Sequence, residues 1–325
     1  MKILLTGASG FVGTNFILEL HNKYDIVALV RESSDISKIE KYCKVYRYDG
    51  NIESLMNLFK KEKFDGVVHL AAFQRLDDDN AKDFIDSMIY TNITFGSHIL
   101  EASKKYYIKF FINTLSSFQY ANSNIYSPMN LLAATKHAFY KIIYLYSTSN
   151  PILFCHLLLY DNYGENDKRV KIFNLWKEIA KSGENLDMSP GEQKMDIIHV
   201  RDVVSGFDTL IELCNKKEAI NGQIYTLESK RHTLKELARL FEKYTDSKLN
   251  ITWGAKPYRK NEIMNPISSH DNKDIMKLPN FNQKISLKEG LKSFVSRNDM
   301  TNNWGGVALK NDFITYIYYL HKKVA

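Results

Sequence analysis

The sequence predicts an α/β fold: a doubly wound parallel sheet with helices on both faces, followed by a smaller mixed α/β domain. Three observations carry that expectation. Apolar, strand-like runs alternate with longer segments of helical period through the first half of the chain. A glycine-rich turn, Gly7-Ala8-Ser9-Gly10-Phe11-Val12-Gly13, lies directly between the first strand and the first helix. After Tyr160 the alternation breaks, which marks a change of architecture.

Taken in order, residues 2–5, 26–30, 44–48, 66–70, 110–114 and 153–159 read as strands. Most are apolar runs, as strands covered on both faces should be. Between them, residues 13–22, 54–61, 85–105 and 131–147 read as helices. Farther on, 173–181 and 234–245 show an amphipathic helical period, separated by short strands at 197–199 and 223–226. The expected division is a first domain over 1–159 and a substrate lid with a C-terminal tail over 160–325. Strands near 197–199 and 223–226 are candidates to return to the first domain. An aromatic stretch near 313–319 can pack as a further helix.

Composition sets the outer bounds. With 325 residues, the chain is long enough for about two domains. Its 44% hydrophobic and 25% charged content is ordinary for a globular protein. No apolar run approaches the ~18 residues of a membrane helix, and the first strand is too short an apolar stretch for a signal peptide. The three cysteines, Cys43, Cys155 and Cys214, are far apart and odd in number. Reduced thiols in a cytoplasmic protein follow from that. Nine histidines show no metal-ligand spacing, so no metal site is expected. There is also no G-x-S-x-G elbow for a hydrolase. The net charge of +7 comes from scattered lysines without a basic, aromatic-laced stripe. That argues against nucleic acid and suits a phosphorylated small ligand.

The glycine turn identifies that ligand. Gly7 permits the tight turn, Gly10 lets backbone approach a pyrophosphate, and Gly13 lets helix and strand pack closely. The helix start then offers unpaired N–H groups to the phosphates. This is the reading of a Rossmann dinucleotide site, with G-x-x-G-x-x-G spacing in place of G-x-G-x-x-G. Contacts are expected from Gly7, Ser9, Gly10, Phe11, Val12 and Gly13. The second strand ends in Arg31, where an acidic residue would favour NAD by binding the ribose hydroxyls. A guanidinium there pairs with a 2′-phosphate instead, with Ser33 and Ser34 as added donors, so the expected cofactor is NADP(H) over NAD(H).

Further marks extend the pattern. They are Asp49-Gly50, His69-Leu70-Ala71-Ala72, Asn92, Ser116, Ala133-Ala134-Thr135-Lys136, and the run from Gly191 to Val204. Together with the turn they resemble the extended short-chain dehydrogenase/reductases, the epimerase/dehydratase group acting on nucleotide sugars. The segment Asn261-Glu262-Ile263-Met264 is similar to one in bacterial 4-keto reductases of the CDP-abequose and paratose synthase type. The resemblance spans about residues 1–295. It implies cofactor contacts from Asp49, Gly50, Leu70, Ala71, Ala72, Asn92 and Lys136. It also implies a catalytic hydroxyl at Ser116, with Ser117 beside it, and a nucleotide-sugar substrate near Gln74, Ser117, Asp161 and Asn162. In the resembling family the helices matching 85–105 and 131–147 build a dimer, which implies a homodimer here.

In that family a tyrosine four residues before the lysine moves the proton, and the spacing presents both on one helical face. Here that position is Leu132, which has no ionisable group. Either another group stands in (Tyr126, Tyr120 or a water), or the chain binds its ligands with little turnover, or Leu132 is an altered position. Tyr140 reads as a packing residue and His137 as a surface or interface one. Leu158, Asp161 and Met195 also depart from the family's Arg, Asn and Arg. Lys168, Arg169, Lys171 and Lys194 are the candidates to supply the missing positive charge. The expected activity is an NADP(H)-dependent 4-keto reductase or epimerase of a CDP- or dTDP-deoxysugar for bacterial surface polysaccharide.

Overall fold

The structure, a computed structural model, describes residues 1–74, 81–169 and 171–298. The first part runs β1 (Lys2–Thr6), α1 (Phe11–Leu20), β2 (Asp25–Arg31), β3 (Lys44–Tyr48), α2 (Ile52–Glu62) and β4 (Gly66–His69). It continues through α3 (Ile85–Ile89), α4 (Phe95–Lys105), β5 (Phe110–Ser116), α5 (Leu131–Ser149) and β6 (Leu153–Leu159). The second part holds β7 (Asp161–Tyr163), α6 (Ile172–Ser182), β8 (Leu186–Met188), β9 (Lys194–Met195), β10 (Ile197–His199) and α7 (Val200–Asn215). Then follow β11 (Ile224–Thr226), β12 (His232–Thr233), α8 (Leu234–Thr245), β13 (Ile251–Trp253), β14 (Ile275–Lys277) and α9 (Leu287–Asn298).

Eight strands form one sheet in the order β14-β11-β6-β5-β4-β1-β2-β3, with every neighbouring pair parallel. This is the Rossmann arrangement, and the order reverses between β1 and β4. Strand periodicity explains the two cores. Ile3, Leu5, Ala28 and Val30 face one layer with Phe16 of α1 and Phe207 and Leu210 of α7. Leu4, Val27 and Leu29 face the other, with Leu55, Phe59, Ile99, Phe139 and Ile143 of α2, α4 and α5. Cys155 and Cys214 meet in the first layer as unbridged thiols, 3.8 Å apart, while Cys43 is half-buried.

A third core belongs to the smaller lobe, where Phe173, Trp176, Leu237, Phe241, Leu291 and Phe294 pack together. Of the two strands that were candidates to rejoin the large sheet, residues 224–226 do so beside β6. Residues 197–199 do not: they pair with β7 in a separate two-stranded ribbon. β14, an edge strand with no turn or periodicity signal of its own, extends the large sheet further. Residues 85–105 are not one helix. A π-helical turn over Tyr90–Thr94 separates α3 from α4, the kind of insertion that re-aims a side chain. Here it turns Asn92 inward, buried to 3% exposure. Residues 313–319 lie outside the described residues. Among the described residues no helix is long and apolar enough to cross a membrane.

The central strands also carry buried imidazoles, His69 on β4 and His156 on β6. Burial pushes both down to about 3, and the nearby Lys136 charge adds to the effect at His69. The unfolded chain therefore binds more protons than the folded one between pH 3 and the ordinary value of 6.5. Stability is full above pH 6.5 and falls as pH drops through that window. Denaturant unfolding from pH 7 to pH 4 should show this loss. His156→Asn should flatten the slope by up to about 1.4 kcal/mol per pH unit; an unchanged slope would refute the assignment.

Candidate active site

The glycine turn leaves β1 at the point where the strand order reverses. Gly7 takes φ +64, and a Cβ on it would lie 2.7 Å from the Ala71 backbone nitrogen. A Cβ on Gly13 would lie 2.3 Å from the Gly7 carbonyl oxygen. Gly10 is open by comparison, and it caps α1 without any side-chain acceptor. The first N–H groups of α1, from Phe11 to Gly13, thus point into the crevice with no acidic residue in the first turn. Thr6 Oγ1 accepts from the Ala71 N–H at 3.1 Å and shares a 2.9 Å hydrogen bond with His69 Nδ1. The stretch Leu70-Ala71-Ala72 is thereby fastened beside the turn. A pyrophosphate fits here, because the donors at the start of α1 are present and glycine at positions 7 and 13 lets the turn, the helix and Leu70-Ala71 close up.

Arg31 ends β2 with its side chain exposed, and among the described residues no carboxylate pairs with it. Its backbone N–H donates to Ser34 Oγ at 3.2 Å. Arg47 on β3 fastens this loop by donating to the carbonyls of Arg31 (3.2 Å), Glu32 and Ser34. Asp49 accepts from Asn51 N–H and Ser54 Oγ at the start of α2, and these bonds hold its carboxyl below the usual range. Gly50 follows at φ +89.

A second loop reaches the same turn from β7. Asn15 of α1 donates to the carbonyls of Phe11 and Glu165, both at 2.9 Å. Asn166 donates back to Asn15, and Lys38 donates to Asn166 at 2.7 Å. The Arg169 guanidinium lies 4.3 Å above the Phe11 ring while forked onto the buried Asp167. Arg169 is therefore a committed cation at the dinucleotide turn, also donating to Asn162. Lys171 pairs with Asp161 at 3.2 Å, so two of the expected substrate residues neutralise each other. Lys168 remains exposed, as do Lys194 and Gln74.

Lys136 comes from the first half of α5 and donates to the Thr114 carbonyl at 3.0 Å and to Thr114 Oγ1 at 3.4 Å. Enclosure of its amine away from water pushes it down to about 8. His69, Ala71, Asn92, Asn113, Thr114, Lys136 and Phe139 line one small cavity here. Asn92 is held on both sides, accepting from Phe73 N–H at 2.7 Å and donating to Thr135 Oγ1 at 2.9 Å. Thr114 did not stand out in the sequence, and Thr6 and His69 entered only as the first residues of motifs, with no role of their own. The signal was there: each is a polar residue closing or nearly closing an otherwise apolar strand.

Leu132, one turn before Lys136, is 2% exposed and packs with Phe84 and Met88. Its neighbours are apolar, so the place of the missing phenol is filled by hydrocarbon. Ser116 closes β5 and caps the short turn Ser117–Gln119. Its Oγ accepts from Phe118 N–H at 3.3 Å. Ser117 is buried. Tyr126 lies in the loop that follows and stacks on His137, with ring centroids 3.6 Å apart. His137 is thus half-buried under the Tyr126 ring, because the loop folds back over α5. Tyr140 packs edge-on against His156 at 4.8 Å. Tyr120 is buried in an apolar cluster with Leu115 and Leu158.

The smaller lobe docks onto this loop. Asn122 donates to the Glu262 carbonyl at 2.6 Å and accepts from Met264 N–H at 2.7 Å. Met264 in turn accepts from Lys194 N–H, and Asn261 donates to the Met129 carbonyl. Residues 261–264 thereby bridge the loop after β5 and β9.

Comparison with known proteins agrees with this geometry. A profile of the NAD dependent epimerase/dehydratase family matches residues 3–226. The CDP-abequose synthase of Salmonella muenchen is 30% identical, over 91% of this chain and 97% of its own length. That of Yersinia pseudotuberculosis is 28% identical over 91% and 100%. The structure of the UDP-glucuronic acid 4-epimerase from Bacillus cereus, solved with UDP-glucuronic acid and NAD, superposes with a TM-score of 0.79. It is 20% identical and covers 93% of this chain and all of that one. A glycine turn at the switch point, a buried lysine behind it and a family match across both place the chain in the NAD dependent epimerase/dehydratase family, among the nicotinamide-dependent enzymes of nucleotide sugars.

Proposed function

We propose that the chain is an NADP(H)-dependent 4-keto reductase or epimerase of a CDP- or dTDP-linked deoxysugar, serving bacterial surface polysaccharide. One observation carries the reading. Lys136 and Ala71 line one small cavity, Ala71 packs on the glycine turn, and the likeness of the chain to CDP-abequose synthases covers 91% of its length. The turn from Gly7 to Gly13 would hold the pyrophosphate, with Asp49, Gly50, Leu70, Ala71, Ala72 and Asn92 around it. Arg31 would pair with a 2′-phosphate. When bound, the nicotinamide supplies or takes up the hydride. Lys136 would bind the ribose hydroxyls through its remaining N–H groups, its position held by Thr114. Ser116 would orient the sugar oxygen, and Ser117, Asp161, Asn162 and Lys168 flank the substrate side.

Leu132 cannot move a proton, so Tyr126 or solvent would provide it. The same residue favours a second reading, in which both ligands bind and turnover is slight. We infer a cytoplasmic homodimer paired through α3 to α5, whose outer surface leaves Ile89, Tyr90, Tyr144 and Leu145 exposed.

Four outcomes are expected. Titration should show tighter binding of NADPH than NADH, and Arg31→Ala should weaken NADPH about 10–100-fold while sparing NADH; equal affinities would remove Arg31 from the site. A panel of nucleotide 4-keto sugars should show NADPH oxidation by the unmodified chain, reduced by Tyr126→Phe. Leu132→Tyr should unfold more easily by about 1–3 kcal/mol, because the ring enters a filled cluster. Turnover confined to the Leu132→Tyr protein would establish the binding-only reading. Finally, the folded chain holds the Lys136 proton less tightly than the unfolded chain, about 8 against 10.5. Its buried charge costs stability below pH 8, and that cost fades as pH rises toward 10.5. Lys136→Met should therefore raise the apo melting temperature at pH 7, by a margin that shrinks by pH 10, and cut turnover about 10²-fold or more.

A further inference from the structure

The loop after β5 contains a hydrogen-bond chain that runs from Ser116 to α5. Gln119 is fully buried under the turn that Ser116 caps. Its Oε1 accepts from the Ser116 backbone N–H at 2.9 Å. That bond settles the other end of the amide, since an NH2 group donates and does not accept. Gln119 Nε2 stands 3.3 Å from His137 Nδ1. Nδ1 must then be the acceptor and carry no proton, which leaves the single proton of a neutral imidazole on Nε2. The neutral form is favoured because burial, with Lys141 adding repulsion, pushes His137 down to about 4. Tyr126 covers one face of the ring with an interplanar angle of 18°, and Tyr140 stands at 5.5 Å. These rings hinder the flip that would present the other nitrogen.

We propose that His137 is a positioning residue: its unprotonated Nδ1 orients the Gln119 amide, and the amide sets Ser116 at the end of β5. The consequence for turnover rests on the reductase reading, whereas the hydrogen-bond chain does not. With Leu132 in place of a phenol, Ser116 is the side chain left to align the sugar oxygen, so its placement weighs more than in a site with two hydroxyls.

The test uses the full chain with 15N-labelled histidine, and His137→Phe identifies the resonance. At pH 7 the wild type should show Nδ1 unprotonated and Nε2 protonated. Gln119→Glu offers acceptors on both oxygens, so His137 Nδ1 should gain a proton while the Ser116 N–H bond survives. His137→Phe keeps a ring under Tyr126 but removes the acceptor, and hydrogen exchange at the Ser116 amide should quicken about tenfold. His137→Asn places Oδ1 near the position of Nδ1 and should restore protection. In turnover, His137→Phe should lower kcat about tenfold with NADP(H) affinity unchanged. A protonated Nδ1 in the wild type, or a Ser116 amide indifferent to His137→Phe, would overturn the inference. So would an unchanged kcat in a chain that turns over. The expected tautomer and exchange response in a chain with no turnover would uphold the hydrogen-bond chain and sink the reductase reading alone.

Discussion

The close approach of three backbone segments at the end of β1 is what everything else hangs on. The Gly7 turn, the first residues of α1 and the strand end at Leu70-Ala71 come so near that a single Cβ would part them. Only with those Cβ atoms absent can the N-terminus of α1 face the place where strand order reverses. The crevice inherits its position from that contact, because β1 and β4 are neighbours whose connections leave to opposite faces of the sheet. The buried bond between Thr6 and His69 then ties the two strand ends together just where apolar packing stops.

Around this point the protein spends its polar residues sparingly, and most of them hold one another. Arg169 is committed to Asp167, Lys171 to Asp161 and Asn92 to Phe73 and Thr135. Among the described residues, Arg31 and Lys136 stand apart from that accounting: Arg31 is exposed without a carboxylate partner, and Lys136 donates to Thr114 oxygens. An enclosed ammonium lacking a counter-ion is destabilising in the folded chain, and such strain gathers at functional sites. Their placement fits a ligand that brings its own phosphate and hydroxyl oxygens.

Much of the large sheet was legible because its strands are covered on both faces and read as plain apolar runs. Residues 26–30 and 153–159 show this, and the glycine turn was legible because its three glycines each answer a separate steric demand. The smaller lobe was harder, since two- and three-residue strands such as β9 and β12 carry no periodicity. Helix α9 escaped for a related reason: its apolar positions pack into a core assembled from α6 and α8, distant in sequence. In the site, Lys136, Ser116 and Leu132 could be located through the family resemblance and the four-residue spacing it implies. The link from Ser116 through Gln119 to His137 could not, because it depends on a loop folding back over α5. Nor could spacing show Arg169 over Phe11, which needs the loop after β7 to reach α1.

Leu132 has a consequence for how this site can change. Its side chain is one of several that fill a small apolar cluster with Phe84 and Met88, and each is cut to the volume the others leave. A phenol entering position 132 meets side chains shaped around a leucine. The substitution back is therefore not a single step but a concerted one, in which Phe84 or Met88 must shrink or swing aside. Such interlocking makes the exchange a ratchet: the chemistry at 132 is held in place by the mechanics of the side chains packed around it.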